Sequence, residues 1–164
     1  MNRLAVAFSG PSNSGKTTLI EKISNSLKDE LKIAIIKHDP KDKALFDTKG
    51  KDSKRFFDTD AETIVVSPTK TTYFSHKSRN LDELIELFGE FDLLMVEGLK
   101  TWDLPRISIF REKIDESYLE YSKAIAIDKS VDIDRYNIPQ NIDLLDLNDI
   151  DIIKEWIFKN AKRV

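Results

Sequence analysis

The sequence predicts an α/β fold of three layers built around a mainly parallel sheet. Short apolar runs recur at Leu4–Phe8, Ile33–Ile36, Ile64–Val66, Leu93–Val96, Ile107–Phe110 and Ala124–Ile127. Most lack the polar alternation of a half-exposed strand, so they read as strands buried on both faces. Helical periodicity lies between several of them, and strands alternating with helices require right-handed crossovers that cover both faces of one sheet. A third observation narrows the class. Gly10-Pro-Ser-Asn-Ser-Gly15-Lys16-Thr17 fits the phosphate-binding pattern GxxxxGK[ST] and stands between a strand run and a helix pattern, as in P-loop NTPases.

Each element has its own signal. From Gly15 to about Glu30, Leu19, Ile20, Ile23 and Leu27 share one side, as on a helix lying against a sheet. Leu81, Leu84, Ile85 and Phe88 form a second apolar stripe, and Asn80 with Glu83 makes a capping box for that helix. Segments 62–67 and 71–77 flank Pro68 and predict either an antiparallel hairpin or an extension of the main sheet. At the C-terminal end Ile153, Trp156, Ile157 and Ala161 repeat on one face, with Asn148 as the expected N-cap and Lys162 and Arg163 near the helix end. Trp156 is expected in the core and His76 at the surface. Residues 39–61 form the least regular stretch, long for a plain connection and therefore a functional candidate.

Composition limits the remaining options. A chain of 164 residues suits a single nucleotide-binding domain spanning 1–164. Its 40% hydrophobic residues are enough for one core, and its net charge of −3 argues against a general nucleic-acid binder. With no cysteine, thiolate metal sites, cysteine nucleophiles and disulfides are excluded. No apolar run reaches the roughly 18 residues of a membrane span, so no membrane association and a cytoplasmic location are expected.

The chemistry concentrates in the glycine-framed motif. Gly10 and Gly15 permit backbone angles that turn the N–H groups of Ser12, Asn13, Ser14 and Gly15 toward an anion at the helix N-terminus, with Thr18 one residue further in. Lys16 is expected on the β- and γ-phosphates and the Thr17 hydroxyl on Mg²⁺. Glu97 ends an apolar run at the edge where parallel sheets bind ligands, and there it can hold Mg²⁺ directly or through water; Asp92 begins that run and belongs to the opposite end. The second run ends in Lys37-His38-Asp39, which makes Asp39 a candidate to orient water or the metal. His38 is either a phosphate or partner contact or a packing residue.

From Lys37 to Arg55 seven Lys/Arg stand against four Asp in an acidic chain. This stretch is either a solvated loop or an attractor for a second phosphorylated molecule or an acidic surface, with Lys51, Asp52, Ser53 and Arg55 as its main cluster. Lys100 and Arg106 are either exposed charges or phosphate contacts. The NKxD string that reads guanine in many GTPases is absent, leaving Asp128 at a strand end as the base-reading candidate.

Taken together, GPSNSGKTTLI at 10–20, IKHD at 36–39, GKDSKR at 50–55, VEGLK at 96–100 and PRISIFR at 105–111 resemble the molybdopterin-guanine dinucleotide biosynthesis adaptor family, MobB. The resemblance covers about two thirds of the chain. It implies a GTP-binding P-loop protein with weak GTPase activity, a homodimer, that assists the guanylyltransferase joining GMP to molybdopterin, with molybdopterin itself a possible further ligand. By match it carries over Gly15, Lys16 and Thr17 for nucleotide and Mg²⁺, Asp39, Asp52 and Arg55 in the loop, and Glu97 with Lys100.

The sequence departs from the family in two places. Pro40 and Lys41 replace histidines after IKHD, and a small-residue triplet after GKDS is Thr59-Asp60-Ala61, so no glycine-permitted backbone is implied at Asp60. A small-molecule kinase or ATP-dependent ligase on a related P-loop fold is the alternative, motivated by the basic loop as an acceptor site. Two histidines and no cysteine disfavour a nickel-inserting GTPase.

Overall fold

The computed structural model describes residues 3–45 and 47–164 and divides into two compact units, one of residues 1–38 with 88–164 and one of residues 39–87. The first holds strands β1 (Leu4–Ser9), β2 (Ile33–Lys37), with α1 (Lys16–Leu27) between them. The second holds α2 (Asp52–Phe57), the strands β3 (Thr63–Val66) and β4 (Thr71–Phe74), and nearly all of α3 (Leu81–Phe88). After α3 the first unit resumes with β5 (Leu93–Glu97), β6 (Arg106–Phe110), β7 (Ala124–Ile127), β8 (Asp143–Asp146), α4 (Ile150–Asn160) and β9 (Lys162–Arg163).

The main sheet runs β2-β5-β1-β6-β7-β8, every pair along that path parallel, and β9 lies antiparallel beside the start of β1. Central strands pack as the apolar runs require: Ala5 to Phe8 and Leu93 to Val96 are fully buried. On one face, α1 brings Leu19, Ile20, Ile23 and Leu27, and α4 brings Ile153, Trp156 and Ile157, into one cluster with Val6, Phe8, Leu93 and Met95. Each such buried aliphatic or aromatic side chain contributes about 1.5–3 kcal/mol. On the opposite face Phe110 and Ile125 pack with Ile114, Val131 and Ile142. The P-loop α/β class follows from this order, with β1 central and its carboxyl end turning into α1.

The structure departs from the sequence-based expectations at several points. Strand β2 is an edge strand, and Ile35 is 44% exposed, because among the described residues β5 is its only strand partner. The run 64–66 is not buried on both faces either: Ile64 and Val66 are 60% and 74% exposed in a separate two-stranded sheet, so the antiparallel hairpin is present and the sheet extension is not. The N-cap of α4 is Asp149, whose carboxylate accepts the N–H groups of Asp151 and Ile152 at 3.1 Å, rather than Asn148, whose own N–H is bound by Asp146. Lys162 and Arg163 leave the helix and form β9. Strand β8, Asp-Leu-Leu-Asp, has too short an apolar run to stand out.

In the second unit β3 and β4 pair from Thr63↔Phe74 to Val66↔Thr71. The capping box of α3 forms as expected: Asn80 Oδ1 accepts from Glu83 N at 3.0 Å, and Glu83 Oε2 accepts from Asn80 N at 2.8 Å. The irregular stretch contains one short helix, α2. At its end Asp60 adopts a left-handed backbone, φ +62°, which short polar side chains tolerate better than most.

Candidate functional site

The loop joining β1 to α1 has a shape only its residue types allow. Gly10 has φ +134°, and a Cβ there would lie 2.3 Å from the Ile109 carbonyl oxygen, so β6 and the loop approach as closely as a bare Cα permits. Gly15 caps α1 at φ +99° and Asn13 is also left-handed, at +64°. Ser14 is buried, its Oγ without a hydrogen-bond partner, whereas Ser12, Asn13, Thr17 and Thr18 are exposed along the loop and first helical turn. The Lys16 ammonium donates to the carbonyls of Gly10 at 3.0 Å and Pro11 at 2.6 Å. Burial holds its pKa below the ordinary lysine value, with nearby Glu97 opposing the shift and Lys37 adding to it.

Parallel register brings the second half of the site to this loop. Phe8 of β1 and Lys37 of β2 both pair with Glu97 at the carboxyl end of β5. The Glu97 carboxylate accepts the Thr17 hydroxyl at 3.4 Å and the Lys37 ammonium at 3.0 Å. Glu97 is only 12% exposed on its side chain. Asp92 sits at the other end of β5, as expected, and binds the Lys32 N–H. Thr17 and Glu97 supply two hard oxygen donors on one side, which fits Mg²⁺ bound largely through water and phosphate. Among the described residues no group of three or more His, Asp or Glu is placed to hold a metal by itself.

Arg106 reverses an expectation. It is neither exposed nor a phosphate contact: 1% exposed, it donates to Ser9 Oγ, Gly98 O and Leu99 O at 2.8 Å and to Trp102 O at 3.3 Å, fixing the turn that follows Glu97. Burial depresses its pKa. Lys100, in the same turn, places its ammonium 3.5 Å from the centre of the Tyr118 ring and 5.6 Å from that of Tyr121, a cation–π arrangement. His38 is exposed, its Cβ 3.0 Å from where a Gly98 Cβ would stand.

Asp39, Asp52, Arg55 and His76 belong to the second unit, and Trp156 to the first. The Asp39 carboxylate accepts backbone N–H groups of Lys41, Lys43 and Ala44, so it organises its own loop. Asp52 and Arg55 pair at 3.5 Å on the exposed side of α2. His76 is exposed, stacked on Phe57 at 3.7 Å and bonded to the Phe57 carbonyl. Trp156 is core, its indole N–H bound to Asp143 at 2.7 Å. Residue types alone missed two charged groups, Lys37 on Glu97 and Arg111 beside Gly15. Both follow a strand run at the carboxyl edge, and that position was the available signal.

Known proteins match this chain in sequence and in fold. The family model described as MobB, molybdopterin guanine dinucleotide synthesis protein B, matches residues 5–129. A molybdopterin-guanine dinucleotide biosynthesis adapter protein of Haemophilus influenzae is 30% identical, over 93% of this chain and 88% of its own. A probable adapter protein of the same name from Bacillus subtilis is 32% identical, over 72% and 71%. The crystal structure of Bacillus subtilis MobB superposes with a TM-score of 0.73 at 26% identity, covering 94% of this chain and 98% of that one. With a phosphate loop seated between β1 and α1, Glu97 registered beside it, and a family match running from β1 to just past β7, this chain belongs to the MobB family.

Proposed function

We propose that this protein binds GTP with Mg²⁺ at the loop 10–18, hydrolyses it slowly, and acts as an adaptor for the guanylyltransferase of molybdenum cofactor biosynthesis. The observation that carries the reading is the conjunction of Gly10 packed on Ile109, Lys16 at the loop and Glu97 against Thr17. The relatives named as adapter proteins of molybdopterin-guanine dinucleotide biosynthesis support the role.

In this reading the N–H groups of Ser12 to Lys16 line the phosphate cradle, with Thr17 and Thr18 opening the helix behind it. Lys16 gives up its bonds to Gly10 and Pro11 carbonyls and neutralises charge developing at the γ-phosphoryl group. Thr17 and Glu97 hold Mg²⁺, which supplies further charge neutralisation when bound. Lys37 pairs with the same Glu97 oxygen that would hold the metal. Asp39 is the candidate to orient water, Arg55 and Lys100 are the candidates for phosphate or partner contact, and Asp52 pairs with Arg55. A homodimer, in a cytoplasmic location, completes the proposal. No helix among the described residues is long and apolar enough to cross a membrane.

Calorimetric titration of the full chain with GTP, and a pull-down of the guanylyltransferase with GTP present, test it. Saturable GTP binding that K16A abolishes is expected. Absence of any nucleotide binding by folded protein would overturn it. Phosphoryl transfer to a metabolite would replace it with the kinase alternative.

A further inference from the structure

Arg111 follows β6 directly, and two groups, Gly15 and Asp128, stand against its side chain. A Cβ built on Gly15 would lie 3.4 Å from both Nε and Nη2 and 3.6 Å from Cζ of Arg111, so the guanidinium presents its flat face to the glycine that opens α1. Its Nε edge faces Asp128 Oδ2 at 3.5 Å. Asp128 in turn accepts from Ser130 N at 3.0 Å and from the Ser130 hydroxyl, and that hydroxyl oxygen accepts the Glu112 N–H at 2.7 Å. The contacts close a ring: Arg111 side chain, Asp128, Ser130, Glu112 backbone and back to Arg111. Nothing in the hydrophobic core uses this ring, and the Arg111 side chain remains 47% exposed.

Sheet order gives the ring a direction. Strand β1 lies between β5 and β6, so Glu97 and Arg111 leave the carboxyl edge on opposite sides of the phosphate loop. A nucleotide whose metal-bearing terminal phosphate lies at Glu97 runs its other end toward β6 and β7. We infer that Arg111, held over Gly15 by Asp128, is a nucleotide-positioning residue whose Nη groups donate to the phosphate nearest the nucleoside. This inference rests on the phosphate-loop reading above and adds a contact independent of the γ-phosphate. A planar guanidinium with one edge already occupied offers its other edge as a fixed fork to an anion, and exchanging Arg for Lys discards that fork while keeping the charge.

The test is titration of the full chain and of R111Q, R111K and D128N with GTP, GDP and ATP. R111Q should weaken GTP and GDP by the same factor, about tenfold, the size of one charge-assisted hydrogen bond. R111K should recover part of that, and D128N, which frees Arg111 without removing it, should lose less than R111Q and again equally for both nucleotides. Unchanged affinity in R111Q, a loss confined to GTP, or a loss that only erases the distinction between GTP and ATP would each overturn the inference. If R111Q does not fold, D128N decides on the same criterion, and unchanged affinity there overturns it. Wild-type protein that binds no nucleotide sinks the phosphate-loop reading itself, whereas wild-type binding with unaffected variants sinks only the role of Arg111.

Discussion

The unit built on the main sheet and the unit of residues 39–87 use the same kinds of residue to different ends. In the first, Val6, Phe8, Leu93, Met95, Ile107 and Ile109 are fully buried, and Arg106, a charged group that enters the interior, donates to Ser9 Oγ and to the Gly98 and Leu99 carbonyls. In the second, Ile64, Val66 and Phe56 are 60%, 74% and 61% exposed, and its side-chain contacts are largely surface pairs such as Asp52 with Arg55. Apolar residues within a short run therefore do not by themselves specify a buried strand. What separates Leu93–Val96 from Ile64–Val66 is the number of neighbouring strands, two for β5 and one for β3.

Substitutions can break this contrast. The largest effect is expected for Phe8→Ala, about 3–5 kcal/mol of unfolding free energy by denaturant titration, since the cavity opens under α1 and α4. Arg106→Met should cost about 3 kcal/mol or more, because the Gly98 and Leu99 carbonyls and Ser9 Oγ lose a buried donor. A loss below 1 kcal/mol would mean the turn after Glu97 reorganises freely. Lys16→Ala should cut turnover by about 100-fold or more while leaving stability nearly unchanged, separating the loop's chemistry from the sheet's packing.

A pH series sharpens the same point more gently. Because burial depresses the Lys16 pKa in the free protein, its proton is lost at a lower pH than from an ordinary lysine. Phosphate binding needs the charged form, so GTP affinity should start to fall on the alkaline side before pH 10.5, the ordinary value. Affinity flat through that range would remove Lys16 from the contact. The smallest effect belongs to the other unit: Ile64→Thr should stay within about 0.5 kcal/mol, and a larger loss would show that β3 is covered in solution.

Much of the first unit could be read from residues. Its central strands announce themselves because a strand flanked on both sides must be apolar on both faces, and the loop does so because glycine spacing, lysine and threonine each answer a separate need of a bound phosphate. Edge elements were harder. Strand β8 is bounded by Asp143 and Asp146, and β9 is two charged residues whose pairing with Leu4 and Ala5 depends on backbone groups alone. Beside the loop, the position of Glu97 is legible from its place at a strand end, but Arg106 reads as an exposed charge or a phosphate contact until its four oxygen acceptors are known. Arg111 was overlooked for the opposite reason, since its meaning lies in Asp128 and Gly15, distant in sequence and adjacent only after β6 and β7 pair.

The pairing of β9 with the start of β1 has a consequence for how the molecule matures. Strand β1 takes one neighbour from residues 93–97 and, along its other edge, residues 106–108 above and 162–163 below. Its hydrogen-bond ladder thus closes only when Lys162 and Arg163 reach Ala5 and Leu4, the most distant partners in sequence that β1 takes. Contacts of such long sequence separation slow folding, so the loop that follows β1 should settle only after the chain has joined its two ends.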